Sequence, residues 1–71
     1  MTKNEILRNA VDEKIEMLNY FRASMVSAYN NSDTHTDEEV LKFSKYKNYL
    51  DEEIVFNNAR KLFLELIDLI D

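Results

Sequence analysis

Few side chains in this sequence have a chemistry that could support catalysis. Four serines, Ser24, Ser27, Ser32 and Ser44, have no obvious base near them along the chain, and the one histidine, His35, lies in a polar segment. A serine–histidine–acid arrangement needs a pocket that holds the three groups at fixed distances, and a chain of 71 residues offers little room for one. We therefore expect His35 to be exposed to solvent rather than catalytic.

Two clusters of carboxylates, Asp37–Glu39 and Asp51–Glu53, raise the question of metal binding. Successive residues on a helix point about 100° apart, so neighbouring carboxylates do not converge on one ion. The first cluster also suits the positive end of a helix dipole. With one His and no Cys, the chain has neither an imidazole-rich nor a thiolate site, and the absence of Gly excludes a P-loop. We expect no metal and no cofactor.

The charge distribution argues against a nucleic acid partner, and the short apolar stretches argue against a membrane. The net charge is −5, and the basic cluster Lys42, Lys45 and Lys47 is bracketed by carboxylates, which is typical of a solvated helix face. The most apolar stretch, Leu62–Ile70, is shorter than a membrane span and contains Glu65 and Asp68. The N-terminus lacks the apolar core of a signal peptide, so we expect a cytoplasmic protein.

The segment around the second acidic cluster carries a more specific pattern. It reads Ser44-Lys-Tyr-Lys-Asn-Tyr-Leu-Asp51-Glu-Glu-Ile-Val55. Its Leu50-Asp51-x-x-Ile54-Val55 run resembles the small two-helix aspartyl-phosphate phosphatases of sporulation control, whose signature is Ser-Gln-Glu-Leu-Asp followed by Leu-Ile. Ile15-x-x-Leu18, Met25 and Val40 are also similar, so the resemblance covers roughly residues 11–58. Aligned from Asp51, the signature Ser, Gln and Glu fall on Lys47, Asn48 and Tyr49; aligned from Val40, the Ser falls on Ser44.

The resemblance implies an activity without a cofactor: removal of phosphate from the aspartate of a response regulator by placing a water molecule in line with the acyl phosphate. Asp51 would orient the water, Asn48 would stand where a carboxamide is expected, and Ser44 would assist. The neighbouring partner-binding residues would be Lys47, Leu50 and Ile54. Asp51 can equally be the water-exposed edge of an amphipathic helix, and the missing signature Gln leaves open whether any catalysis survives.

Two long helices must position these residues. Thr2 is followed three residues later by Glu5, and Thr36 by Glu39, which is the spacing of a capping box at a helix start. Between them the polar run at residues 30–35 predicts a turn, with Asn30 or Asn31 in the left-handed conformation that ends a helix. We therefore predict helices over residues 3–30 and 37–70 joined by a loop at 31–36.

Apolar residues at steps of three and four define the face that each helix buries. On the first helix they are Leu7, Val11, Leu18, Phe21, Met25 and Ala28. On the second they are Val40, Phe43, Leu50 and Ile54, with Lys47 between them. Past Ile54 the apolar stripe shifts sideways and broadens, and a break at Asn57-Asn58 with a third helix is the alternative to a continuous helix.

The predicted fold is all-α, an antiparallel two-helix hairpin that dimerises into a helical bundle. The second helix is longer than the first, so its apolar end is expected to overhang and to need cover from a second copy. The expected dimer interface is Leu62, Phe63, Leu66, Ile67 and Ile70. The alternative to phosphatase activity is a non-enzymatic dimeric hairpin that binds and modulates a partner protein.

Overall fold

The computed structural model describes residues 2–70, and they form two α-helices packed against each other. α1 spans Lys3–Asn30 and α2 spans Asp37–Ile70, with residues 31–36 between them. The start of α1 contacts the end of α2 through Arg8 and Asp68, so the helices are antiparallel. Residues 2–70 contain no strand. The predicted all-α hairpin is confirmed.

Both helices begin at the threonines that the spacing indicated. The backbone N–H of Glu5 donates to Thr2 Oγ1 at 3.2 Å, and that of Glu39 donates to Thr36 Oγ1 at 3.2 Å. Each threonine thereby satisfies one of the amides that a first helical turn leaves without a partner. Local side-chain chemistry fixes where the two helices start.

The end of α1 differs from the prediction. Asn31 caps the helix with φ −77° and ψ −10°, which is right-handed, and no residue from Thr2 to Ile70 has positive φ. The Asn31 N–H donates to the Ser27 carbonyl at 3.0 Å, and the Ser32 N–H donates to the Tyr29 carbonyl at 3.3 Å. The helix therefore ends by tightening its last turn, and the left-handed conformation expected at Asn30 or Asn31 was wrong.

α2 is continuous through Asn57 and Asn58. The Asn57 side-chain amide donates to the Glu53 carbonyl at 2.8 Å, and that of Asn58 donates to the Ile54 carbonyl at 2.9 Å. Both side chains bond the backbone one turn back while the helix continues, so the two asparagines do not break it.

The contact between the helices follows a seven-residue repeat, which we call the inner seam. Every residue of the inner seam is buried or half-buried. On α1 it comprises Asn4, Arg8, Val11, Ile15, Leu18, Arg22, Met25 and Tyr29. On α2 it comprises Phe43, Lys47, Leu50, Ile54, Asn57, Lys61, Leu64 and Asp68. Alternate steps of four and three are the spacing with which one helix packs into another, so the hairpin is a short antiparallel coiled coil.

The inner seam corrects the predicted apolar stripes in two respects. Three residues expected to be buried are exposed: Ala28, Phe21 at 53% and Val40 at 40%. The packed face of α2 does not shift sideways after Ile54; it continues straight through Asn57 and Lys61. Because half of the inner-seam residues on α2 are polar, hydrophobicity alone does not reveal this packed face.

The end of α2 does not overhang. Arg8 Nη1 lies 2.8 Å from Asp68 Oδ2, so this part of α2 runs beside the first turns of α1. The molecule is a rod of 54 × 16 × 12 Å with a radius of gyration of 16.3 Å, against about 11 Å for a compact globule of this length. Whatever apolar surface α2 leaves uncovered is on its outer side, facing away from α1.

Candidate functional site

The three residues expected to be catalytic lie on one side of α2. Steps of four and three residues separate Ser44, Asn48 and Asp51, so they share a face of the helix. Ser44 and Asn48 are exposed, and the Asp51 side chain is 37% exposed. They line an open surface and could meet a macromolecular partner.

Asp51 is held by two cations. Its Oδ1 accepts a hydrogen bond from Arg22 Nε on α1, and its Oδ2 accepts one from Lys47 Nζ at 3.1 Å on α2. The Arg22 hydrogen bond and, after it, the Lys47 hydrogen bond hold the pKa of Asp51 below its ordinary value of 3.8. Asp51 is therefore a carboxylate that ties the two helices together, and both its oxygens already accept a hydrogen bond.

The residues expected to bind a partner are part of the inner seam. Lys47, Leu50 and Ile54 are all half-buried in the single chain. The aliphatic stem of Lys47 lies in the seam while its ammonium reaches Asp51, as expected of a long basic side chain on an apolar surface. Binding through these three residues stays a prediction, and their exposed fraction limits the area that they can offer.

A second ion pair links the helices further along the seam. Lys61 Nζ lies 2.7 Å from Asp12 Oδ1. The Asp12 hydrogen bond raises the pKa of Lys61 above its ordinary value of 10.5. Together with Arg8–Asp68 and Arg22–Asp51, this contact sets the register of α1 against α2 by charge pairing.

His35 is not the solvent-exposed residue that was expected. Its side chain is 17% exposed, and its ring stacks on Tyr29 with a centroid distance of 3.7 Å and an interplanar angle of 3°. Phe43 also stacks on Tyr29, at 3.9 Å. The three rings close the turn end of the hairpin, so His35 has a packing role.

The largest unpartnered feature is a second apolar stripe along α2, which we call the outer stripe. Each of its large side chains is more than half exposed, and Leu69 and Ile70 reach 83% and 84%. The outer stripe comprises Tyr49, Val55, Phe56, Leu62, Phe63, Leu66, Leu69 and Ile70. Four of the five residues expected to form a dimer interface belong to it, while Ile67 is half-buried.

The outer stripe is large for so small a protein. A large side chain carries about 150–250 Å², so the eight residues expose on the order of 900 Å². The largest apolar patch on a typical monomer is about 300–600 Å². An outer stripe of this size, in one continuous row, is the strongest candidate for a functional surface.

Residues 2–70 contain neither a cluster of metal ligands nor a membrane-spanning helix. No group of three or more His, Cys, Asp or Glu side chains is placed to hold a metal ion within this range. Neither helix, over the same residues, combines the length and the apolar character needed to cross a membrane.

Comparison with known proteins adds no relative to this picture. No family model, no curated protein and no solved structure matches the chain.

The sequence alone pointed to Asp51 but not to its partner. Arg22 lies 29 residues away, and the pairing is visible only when the register of the two helices is known. The outer stripe did carry a signal, since Tyr49, Phe56, Phe63 and Ile70 recur every seven residues.

Proposed function

We propose that this chain is a non-enzymatic, dimeric helical hairpin that binds and modulates a partner protein. The observation that supports this is the outer stripe, which exposes on the order of 900 Å² of apolar side chain. A standard protein interface buries about 800 Å² on each partner. The exposed surface therefore has the size of one side of a stable interface.

The whole-molecule surface supports self-association. The single chain exposes 5696 Å², against about 4,700 Å² for a compact monomer of 8.5 kDa. The chain has no Cys with which to form stabilising disulfides. Small domains without such covalent support commonly gain stability from a second chain.

A different set of side chains is proposed to contact the partner protein. Tyr20, Phe21 and Tyr46 are all more than half exposed, in the half of the hairpin nearer the turn, and Tyr20 and Phe21 pack edge to face at 6.0 Å. Aromatic side chains supply much of the binding energy in protein interfaces. These three side chains lie outside the outer stripe and stay free when it is covered.

Sedimentation equilibrium tests the dimer. The wild type is expected at twice 8.5 kDa at micromolar concentration, and Leu66→Asp is expected to be monomeric. Leu41→Asp is the control, because Leu41 is a still more exposed leucine on the same face of α2 but lies about two turns before Tyr49, where the outer stripe begins. A wild type that stays at 8.5 kDa contradicts the proposal.

Affinity capture from a native lysate tests the partner surface. The wild type and Leu41→Asp are expected to retain a partner protein that Tyr20→Asp loses, while all three remain dimeric. Retention by Tyr20→Asp at the wild-type level would exclude this surface.

A second candidate function is the dephosphorylation of a response regulator, which the sequence resemblance implies. The observation in its favour is that Ser44, Asn48 and Asp51 share an accessible face of one rigid helix. A response regulator charged with acetyl phosphate should then lose phosphate faster with the wild type than with Asn48→Ala or Asp51→Asn. Glu16→Gln, which changes an exposed residue of α1, is the control. Phosphate loss that none of these substitutions changes would rule out this mechanism.

A further inference from the structure

The outer stripe has the spacing with which helices pack against helices. Tyr49, Phe56, Phe63 and Ile70 recur every seven residues, and Ala59 and Leu66 lie three residues after two of them. Alternate steps of three and four are the same spacing as that of the inner seam. The outer stripe therefore has the form of a face on which another α-helix can pack.

We propose that this helix is α2 of a second copy, lying antiparallel, with the two-fold axis level with residue 61. The inference rests on the proposed self-association and adds its orientation and register. Two hairpins then form a four-helix bundle in which each α2 packs on α1 through its inner seam and on the other α2 through its outer stripe.

Side-chain size supports this register. With the axis at residue 61, Ala59 of each chain lies opposite Phe63 of the other, and Phe56 lies opposite Leu66. A small side chain facing a large one lets two helices approach closely and leaves no gap. Side chains at the edge of the contact lie one residue away from the central row. Along one edge Leu62 therefore meets the second copy's Leu62, and Val55 meets its Leu69.

The parallel arrangement is less favourable. It places Glu52 opposite Glu52, which brings two carboxylates together inside an apolar contact. It also sets Ala59 against Ala59 between two layers of phenylalanine, which leaves a void. In the antiparallel register Glu52 lies level with Ile70, at the end of the contact, where its carboxylate reaches water.

The antiparallel register also defines how far the two α2 helices overlap. Residues 52–70 of the two chains overlap over about 27 Å. Tyr49 lies one turn outside this overlap and stays exposed. In a parallel dimer, by contrast, Tyr49 would face Tyr49, so this residue distinguishes the two orientations.

Chemical crosslinking tests the register, since the chain has no Cys and each variant carries a single thiol. Leu62→Cys and Tyr49→Cys are treated with a short bis-maleimide, and Glu13→Cys on α1 measures the random background. We expect Leu62→Cys to form a covalent dimer in high yield and Tyr49→Cys to remain at the background level. Circular dichroism checks that all three variants keep the wild-type helix content.

The outcomes separate this inference from the proposal on which it rests. Any other crosslinking pattern in a protein that sediments as a dimer, including the Tyr49→Cys crosslink expected of a parallel pair, overturns the register but not the self-association. Background crosslinking by every variant, with a monomeric wild type, overturns both.

Discussion

Asp51 joins the two helices through hydrogen bonds from Arg22 on α1 and Lys47 on α2. Because these hydrogen bonds lower its pKa below 3.8, the stability that they contribute is present above about that pH. It is lost as the pH falls through the lowered pKa. The ion pairs are partly exposed, so each contributes modestly and their main effect is on register.

Asp51→Asn should lower the thermal midpoint at pH 7, because a neutral amide no longer balances the two cations. The difference from the wild type should shrink as the pH falls below 3.8 and vanish once Asp51 is protonated in the folded protein as well. Thermal unfolding at fixed protein concentration across this range measures it. Asp33→Asn, which removes the same charge from an exposed turn residue, serves as the control; an equal pH-dependent difference there would contradict the assignment.

Asn57 is 1% exposed, and within residues 2–70 its side-chain amide donates only to the backbone of its own helix, at the Glu53 carbonyl. A buried amide costs stability while it specifies how two helices align. Asn57→Leu is therefore expected to stabilise the hairpin by about 1 kcal/mol, or roughly 4–8 °C in Tm.

The neighbouring asparagine provides the control for that substitution. Asn58 makes the same kind of hydrogen bond, to Ile54, but is exposed. Asn58→Leu should change Tm little, because no buried polar group is removed. Equal shifts in the two variants would show that burial is not the cause.

At the scale of the helix, the N-caps determine where α1 and α2 start. Thr36→Ala removes the acceptor for the Glu39 N–H and should destabilise the hairpin by about 1 kcal/mol. Thr34→Ala, in the same turn, loses no helix cap and should leave stability near that of the wild type. Urea unfolding of both variants measures the difference.

The helices were predictable because their signals are local. The threonine caps depend on residues a few positions away, and without Gly or Pro nothing interrupts the helices between them. These signals predicted the hairpin without tertiary information. The packed face of α2 was not predictable in the same way. Lys47, Asn57, Lys61 and Asp68 occupy the inner seam, and their pairing with α1 depends on a register that the single helix does not contain.

The dependence on register also explains why the apolar stripe of α2 was predicted on the wrong side. After Ile54 the more hydrophobic side of α2 is the outer one, so a search for a buried face follows the wrong side of the helix. His35 was misjudged for a related reason, because its stacking on Tyr29 exists only once the turn brings α1 and α2 together. The candidate catalytic residues could be located on one face, but the hydrogen bond from Arg22 to Asp51 could not.

At the scale of the whole molecule, the proposed register has a measurable length. Each hairpin is 54 Å long, and an overlap confined to residues 52–70 places the turn ends at opposite extremes. The antiparallel dimer should therefore measure roughly 80 Å by small-angle X-ray scattering. A parallel dimer would stay close to the 54 Å of a single rod.

Charge should oppose this association at low ionic strength. Each chain carries a net charge of −5, and the antiparallel register brings Arg60 of one chain near Arg60 of the other on the exposed edge. Salt screens both repulsions, since the Debye length falls from about 30 Å at 0.01 M to about 10 Å at 0.1 M. The dimer dissociation constant, measured by sedimentation, should fall as salt is added over this range; a rise would indicate that attractive ion pairs hold the interface.

The Arg8–Asp68 contact brings the beginning of the first helix beside the end of the second. An affinity tag or fluorescent protein fused at either terminus would crowd the last residues of the outer stripe, and an assay on such a fusion would under-report pairing. The exposed residues 32–34 sit at the opposite pole of the rod and are the better place to insert a reporter.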